Sequence, residues 1–173
     1  MRKIFLLFGL TVCVCSSVVA QQQSRKVFSH SLVQPGSRVV YEKWLNEDVA
    51  YIITTEERRA FMLLKSDEER EQLIEAFWRH RDPRPETDEN EYRAEYYGRF
   101  AYANQNFAFG DVAGWKADRG RIYVTYGKPD EVPKSSSGEV WIYNHLPGLG
   151  SNIKFKFVSA EGKGDFRLQQ PNL

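Results

Sequence analysis

The apolar residues of this chain change their period once, and that change constrains the fold more than any other feature. Tyr92, Tyr96, Phe100, Ala103 and Phe107 step by four, four, three and four residues, which aligns them on one face of a helix. Ile153, Phe155 and Phe157 instead alternate with Lys154 and Lys156, the pattern of a strand with one buried and one wet face. Helical signals precede strand signals. The expected class is therefore α+β, with N-terminal helices packed on a C-terminal antiparallel β-meander of about four strands.

Local signals place the elements. Val39, Val40, Trp44 and Leu45 predict a short helix opening the domain near Arg38, while Val49–Ile53 reads equally as extended or as helix. Thr54 with Glu57, and Ser66 with Glu69, have the hydroxyl-and-glutamate spacing of a capping box, in which each side chain satisfies a free amide of the first turn. Leu73, Ile74, Phe77 and Trp78 give the second of these helices a wide apolar stripe, and Arg81-Asp82-Pro83 ends it, because the residue before proline is driven out of the helical region. Thr87-Asp88-Glu89-Asn90-Glu91 then opens a third helix, acids at its positive end, running to Phe107–Gly110. Strands are predicted at 121–126, 139–143, 152–158 and 166–168. Gly127-Lys128-Pro129-Asp130 closes the first, and Gly162-Lys163-Gly164-Asp165 joins the last two as a hairpin turn.

The first 20 residues are expected to be removed. Met1-Arg2-Lys3 is a positive start, Ile4–Val14 an apolar run too short to span a bilayer, and Val18-Val19-Ala20 sets small residues before a cut. Cys13 and Cys15 each follow a valine, which disfavours a lipoprotein signal. Cleavage after Ala20 would leave a mature chain without cysteine, ruling out disulfides, thiolate zinc sites and thiol nucleophiles, and without a transmembrane segment. Residues 21–37, rich in Gln and Ser, read as a flexible tether to a single domain at 38–173. With 24 basic and 23 acidic residues, the chain carries no electrostatic footprint for nucleic acid.

Recognisable catalytic constellations are missing: there is no Gly-x-Ser-x-Gly, Gly-x-Gly-x-x-Gly, Walker loop or His-Glu-x-x-His. His80 reads first as a cation at a helix C-terminus, and second as a general base near Asp82. The acids of 87–91 lack the glycine and alternating ligands of a calcium loop, so neither metal nor cofactor is expected.

The segment richest in information is Gly114-Trp115-Lys116-Ala117-Asp118-Arg119-Gly120-Arg121, followed by Gly127-Lys128-Pro129-Asp130-Glu131. It resembles the signature of the GWxTD-domain family of exported bacterial proteins, with Ala117 where the family has threonine. The resemblance extends to Trp44-Leu45, Asp48–Thr54, Glu69-Arg70, Phe77-Trp78, Arg81-Asp82-Pro83, Asn90-Glu91 and Ala103-Asn104, covering nearly the whole domain. It implies an exported envelope protein, periplasmic or extracellular, and no established reaction. Gly127-Lys128-Pro129, Trp141-Ile142-Tyr143 and Phe155-Lys156-Phe157 also resemble, over a shorter stretch, the SmpA/OmlA-type outer-membrane assembly lipoproteins, which are protein-binding accessories.

Two readings of the signature follow. In the first, Trp115 plugs the helix-to-sheet interface while Asp118 and Arg119 tie a loop. In the second, Trp115, Asp118, Arg119 and Arg121 bind a carboxylate, phosphate or glycan. The favoured function is a non-enzymatic protein-interaction module with an envelope protein as partner, docking on the outer face of the sheet or on an open edge at Ile153–Val158. The alternative is a hydrolase or glycan-processing protein using Asp82, Asp118 and His80 or Glu91 as acid and base.

Overall fold

A computed structural model describes residues 38–159 and 164–169. The expected signal peptide and tether, both cysteines and the first half of the 162–165 turn lie outside these residues. Helix α1 (Arg38–Lys43) runs into a π-helical turn, Trp44–Asp48, and is followed by α2 (Thr55–Leu63), α3 (Asp67–Arg79) and α4 (Glu91–Phe107). A 3₁₀ turn at Gly114–Lys116 then leads into α5 (Asp118–Tyr126). Strands β1 (Lys134–Ser135), β2 (Gly138–Leu146), β3 (Gly150–Ser159) and β4 (Phe166–Gln169) form an antiparallel meander in the order β1-β2-β3-β4. The architecture is α+β, helices first. No described helix is long and apolar enough to cross a membrane.

The helix starts form as their sequences dictate. Thr54 and Ser66 each accept from the amide three residues on, and Glu57 and Glu69 reach back to the cap amides. Asn90 caps α4 through the Arg93 amide and also donates to the Trp78 carbonyl at 2.7 Å, fixing the angle between α3 and α4. The 49–53 stretch is neither strand nor continued helix but a pair of turns, with Ile52 and Ile53 both donating to the Val49 carbonyl.

One aromatic core joins the layers. Trp78 meets Tyr92, Tyr96 and Tyr97 between α3 and α4, and Trp44 meets Phe61 and Phe77 beneath α1. Phe107 of α4 and Tyr123 of α5 lie against Trp141, while Tyr126 stacks on Phe155. The inner face of the sheet is thus Glu139, Trp141 and Tyr143 of β2 with Phe155 and Phe157 of β3, as the period of two requires.

Two expectations about the sheet need correction. Residues 121–126, expected as a strand, are the body of α5. Their β-branched and aromatic side chains are tolerated in a helix because Ile122 and Val124 are both buried, on nearly opposite sides of α5, and only a narrow side at Asp118, Arg121 and Thr125 reaches solvent, which leaves the helical period weakly marked. The open edge expected along Ile153–Val158 is half closed, because Lys156–Ser159 pair with β4. Only the Gly150–Phe155 part of β3 lacks a second partner among the described residues, and Asn152 interrupts it with a φ of 57°. A kinked, lysine-bearing edge of that length is poorly suited to accepting another strand.

Candidate functional site

The Gly114–Arg121 element is a close-packed joint. A Cβ on Gly114 would fall on the carbonyl of Ala103 in α4, and one on Gly120 would fall on the carbonyl of Gly114; both lie well inside the 3.0 Å that real Cβ atoms essentially never breach. Only glycine lets three backbone segments approach so closely. Asn104 Oδ1 accepts from the Trp115 amide at 3.2 Å and Tyr51 donates to the Trp115 carbonyl at 3.0 Å, so the turn is held from both sides. The Trp115 ring packs on Tyr51 and Phe100, inside the helical layer. It does not plug the helix-to-sheet interface as expected; Phe107, Tyr123, Trp141 and Phe157 fill that place.

Asp118 and Arg119 reach from this joint to the sheet. Asp118 Oδ2 accepts from the Leu168 amide of β4 at 2.7 Å. Arg119 lies 3.9 Å over the Phe166 ring and 5.0 Å from that of Phe107, with Nη1 3.4 Å from Glu139 Oε1. The same Glu139 oxygen accepts from Trp141 Nε1 at 2.9 Å, and Glu139 is only 8% exposed. A charged pair this deep is supported by the Trp141 donor on the carboxylate and by the Phe107 and Phe166 rings against the guanidinium. Arg121 is different: half exposed, it makes one long ion pair, 3.7 Å, to Asp118. Ala117 occupies the N-cap of α5, with extended backbone and its carbonyl accepting from Arg121, but offers no side-chain cap.

The other acid and base candidates are apart from this joint. His80 caps α3 and its exposed ring has no hydrogen-bond partner among the described residues. Asp82 accepts from the Arg84 amide at 3.0 Å in a local turn, and Glu91 pairs with Arg84. No hydrogen bond or ion pair among the described residues connects any of these with Asp118, and no group of three or more His, Cys, Asp or Glu among them could hold a metal ion.

A wider concavity lies elsewhere, between α1, α2 and the start of α3. It is an open groove of about 570 Å³ floored by Tyr41, Leu45 and Phe61, with Met62 on its rim and Arg38, Arg58 and Arg70 around it. The π-turn builds part of it. Val49 donates to Trp44 and Ala50 to Glu47, which leaves the Leu45 carbonyl to accept from Arg58 at 2.7 Å; Asn46 Oδ1 accepts from the same guanidinium at 2.9 Å. Arg38 pairs with Glu42 and Arg70 with Asp67, whereas Arg58 has no carboxylate partner among the described residues.

Comparison with known proteins bears on the joint. A family model described as the GWxTD domain matches residues 18–171, from upstream of Arg38 almost to the C-terminus. The chain belongs to the GWxTD-domain family. No curated protein and no solved structure matches it. In this GWxTD domain the signature glycines and Trp115 are where α4, the 3₁₀ turn and α5 meet, and Ala103-Asn104 is the stretch of α4 they meet. Arg81, another residue of the family likeness, forms a bidentate pair with Glu57 at 2.8 Å for both bonds and lies 3.6 Å over Phe77.

Sequence reasoning missed Glu139 and Arg58. Glu139 carried a readable signal, since period two puts it on the buried face with Trp141 and Tyr143. Arg58 carried none, because its partners come from a turn that only the folded chain brings near.

Proposed function

We propose that this protein is an exported module of the bacterial envelope that binds another protein and catalyses no reaction. The observation that carries this reading is the exposure of large apolar side chains on the first two helices: Val39 is 71% exposed, Met62 70% and Leu63 67%. Met62 rims the groove between α1 and α2, and an exposed apolar side chain beside a concavity is a usual mark of a partner surface. The internal engagement of Asp118 and Arg119 supports the same reading, since charges tied to β4 and Glu139 are not free for acid–base work. Family membership and the signal-like N-terminus accord with it.

The test is lysine-directed crosslinking of the protein in its native envelope, followed by mass spectrometry. One reproducible protein partner is the expected result. Recovery of cell-wall or glycan fragments with no protein would overturn the reading in favour of a glycan-processing role, and Asp118, Arg119 and His80 would then be the first positions to substitute.

A further inference from the structure

We infer that the groove between α1 and α2 is the docking site, and that it takes a segment of the partner protein in which a carboxylate side chain stands next to an apolar one, with Arg58 as the anion anchor. This rests on the interaction-module reading and names the chemistry of its partner. Charge complementarity carries it: among the described residues lining the groove there are three guanidiniums and one carboxylate, Glu42, while Glu71, beside the floor, is occupied by the Tyr41 hydroxyl. Arg38 and Arg70 are each matched by an acid of their own helix, so among the described residues the guanidinium without an acid partner is that of Arg58.

Arg58 is also positioned before any ligand arrives. A guanidinium carries five N–H donors in a rigid fork. Two bonds to the neutral acceptors Leu45 O and Asn46 Oδ1 hold that fork half-buried, and the remaining donors and the full positive charge are left for a carboxylate. Because the ordering has already happened in the free protein, little side-chain entropy is lost on binding. Beside it, Leu45 and Phe61 give an apolar floor, and Met62, an adaptable side chain, stands exposed on the rim. An anchoring arginine beside an apolar pocket is the composition of an interface hot spot. The groove is open and has exposed Met62 on its rim, which suits a chain segment crossing it better than a small molecule enclosed by it.

The test uses the protein purified from its own envelope and three fluorescein-labelled hexapeptides in which leucine alternates with glutamate, glutamine or lysine, read by fluorescence anisotropy. The glutamate peptide is expected to bind at least tenfold more tightly than the other two. Arg58→Met should abolish that preference, Arg58→Lys should keep part of it, and Met62→Asp, at an exposed position that folding does not need, should weaken the glutamate peptide at least tenfold. Arg59→Met, on exposed surface outside the groove, should change nothing. Equal binding of all three peptides, full affinity in Met62→Asp, or displacement of the glutamate peptide by decanoate at lower concentration than by unlabelled peptide would each overturn the proposal. If envelope crosslinking captures the same partner from wild type and Met62→Asp in equal yield, the groove assignment falls while the module reading stands.

Discussion

The Cα of Gly120 faces the carbonyl of Gly114 so closely that no side chain fits between them. Gly114 in turn faces Ala103 of α4 in the same way, so two glycines six residues apart set the distance between α4, the 3₁₀ turn and α5. The substitution Gly120→Ala cannot be accommodated by a rotamer change, because the obstacle is backbone. It should destabilise the domain by more than about 3 kcal/mol, or prevent folding, whereas Gly98→Ala, with open space around it, should leave the urea midpoint unchanged or raise it. Equal midpoints for the two variants would refute the joint.

Ala117 is an N-cap without a cap. The family's threonine at this position would present a hydroxyl to the free amides of the first turn of α5, so the structure gives that threonine a capping role. Ala117→Thr is expected to add about 1 kcal/mol of stability and raise Tm by roughly 2–4 °C. Calorimetry that finds no gain would mean the half-buried site cannot orient the hydroxyl.

Arg119 and Glu139 form a pair whose members depend on each other. Arg119→Met leaves the Glu139 carboxylate buried with only the Trp141 indole as donor, at a cost of about 3 kcal/mol. Adding Glu139→Gln removes the stranded charge and keeps an acceptor for Trp141, so the double variant should regain much of the loss. A double variant no more stable than Arg119→Met alone would show that the arginine acts through its contacts with Phe107 and Phe166 instead.

Stability should fall at both ends of the pH range, for different reasons. The bidentate Arg81 bond, ahead of the opposing effect of burial, holds the Glu57 carboxyl below its ordinary value of 4.5. The folded state therefore favours ionised Glu57, and that stabilisation is complete above the ordinary value and lost as pH falls through the lower folded one. At the alkaline end, burial and then the hydrogen bond to Glu71 push Tyr41 up to about 12, and burial raises Tyr96 and Tyr143 as well. Above pH 10 the unfolded chain loses phenolic protons that the folded one keeps, so stability drops by up to about 1.4 kcal/mol per pH unit for each such tyrosine. Urea midpoints at pH 3, 7 and 11 should be highest at 7, and Glu57→Gln should flatten only the acid side.

The sequence disclosed what depends on local pattern. Both capping boxes, the seam of α4 and the alternation of β3 are readable because each element has one buried and one wet side. It misled at α5, where Ile122 and Val124 are buried in a helix covered on opposite sides, and Thr125 satisfies its own hydroxyl on the Arg121 carbonyl at 2.8 Å. There Gly127, at φ 82°, stops a helix and not a strand. The signature was visible as residues but not as a joint, since the carbonyl of Ala103 that makes Gly114 obligatory lies eleven residues earlier. The groove was invisible for the same reason: the fixed state of Arg58 depends on a π-turn in the preceding helix.

The most direct measurement places a photocrosslinking amino acid at Met62, and separately at Arg121, in cells of the native envelope, and maps the crosslinked peptides by mass spectrometry. The account predicts that Met62 captures one protein through a segment carrying a carboxylate beside an apolar residue, that Arg58→Glu abolishes this adduct, and that Arg121 captures no partner. A partner held at Arg121 and none at Met62 would contradict it, and would make the signature element the binding site.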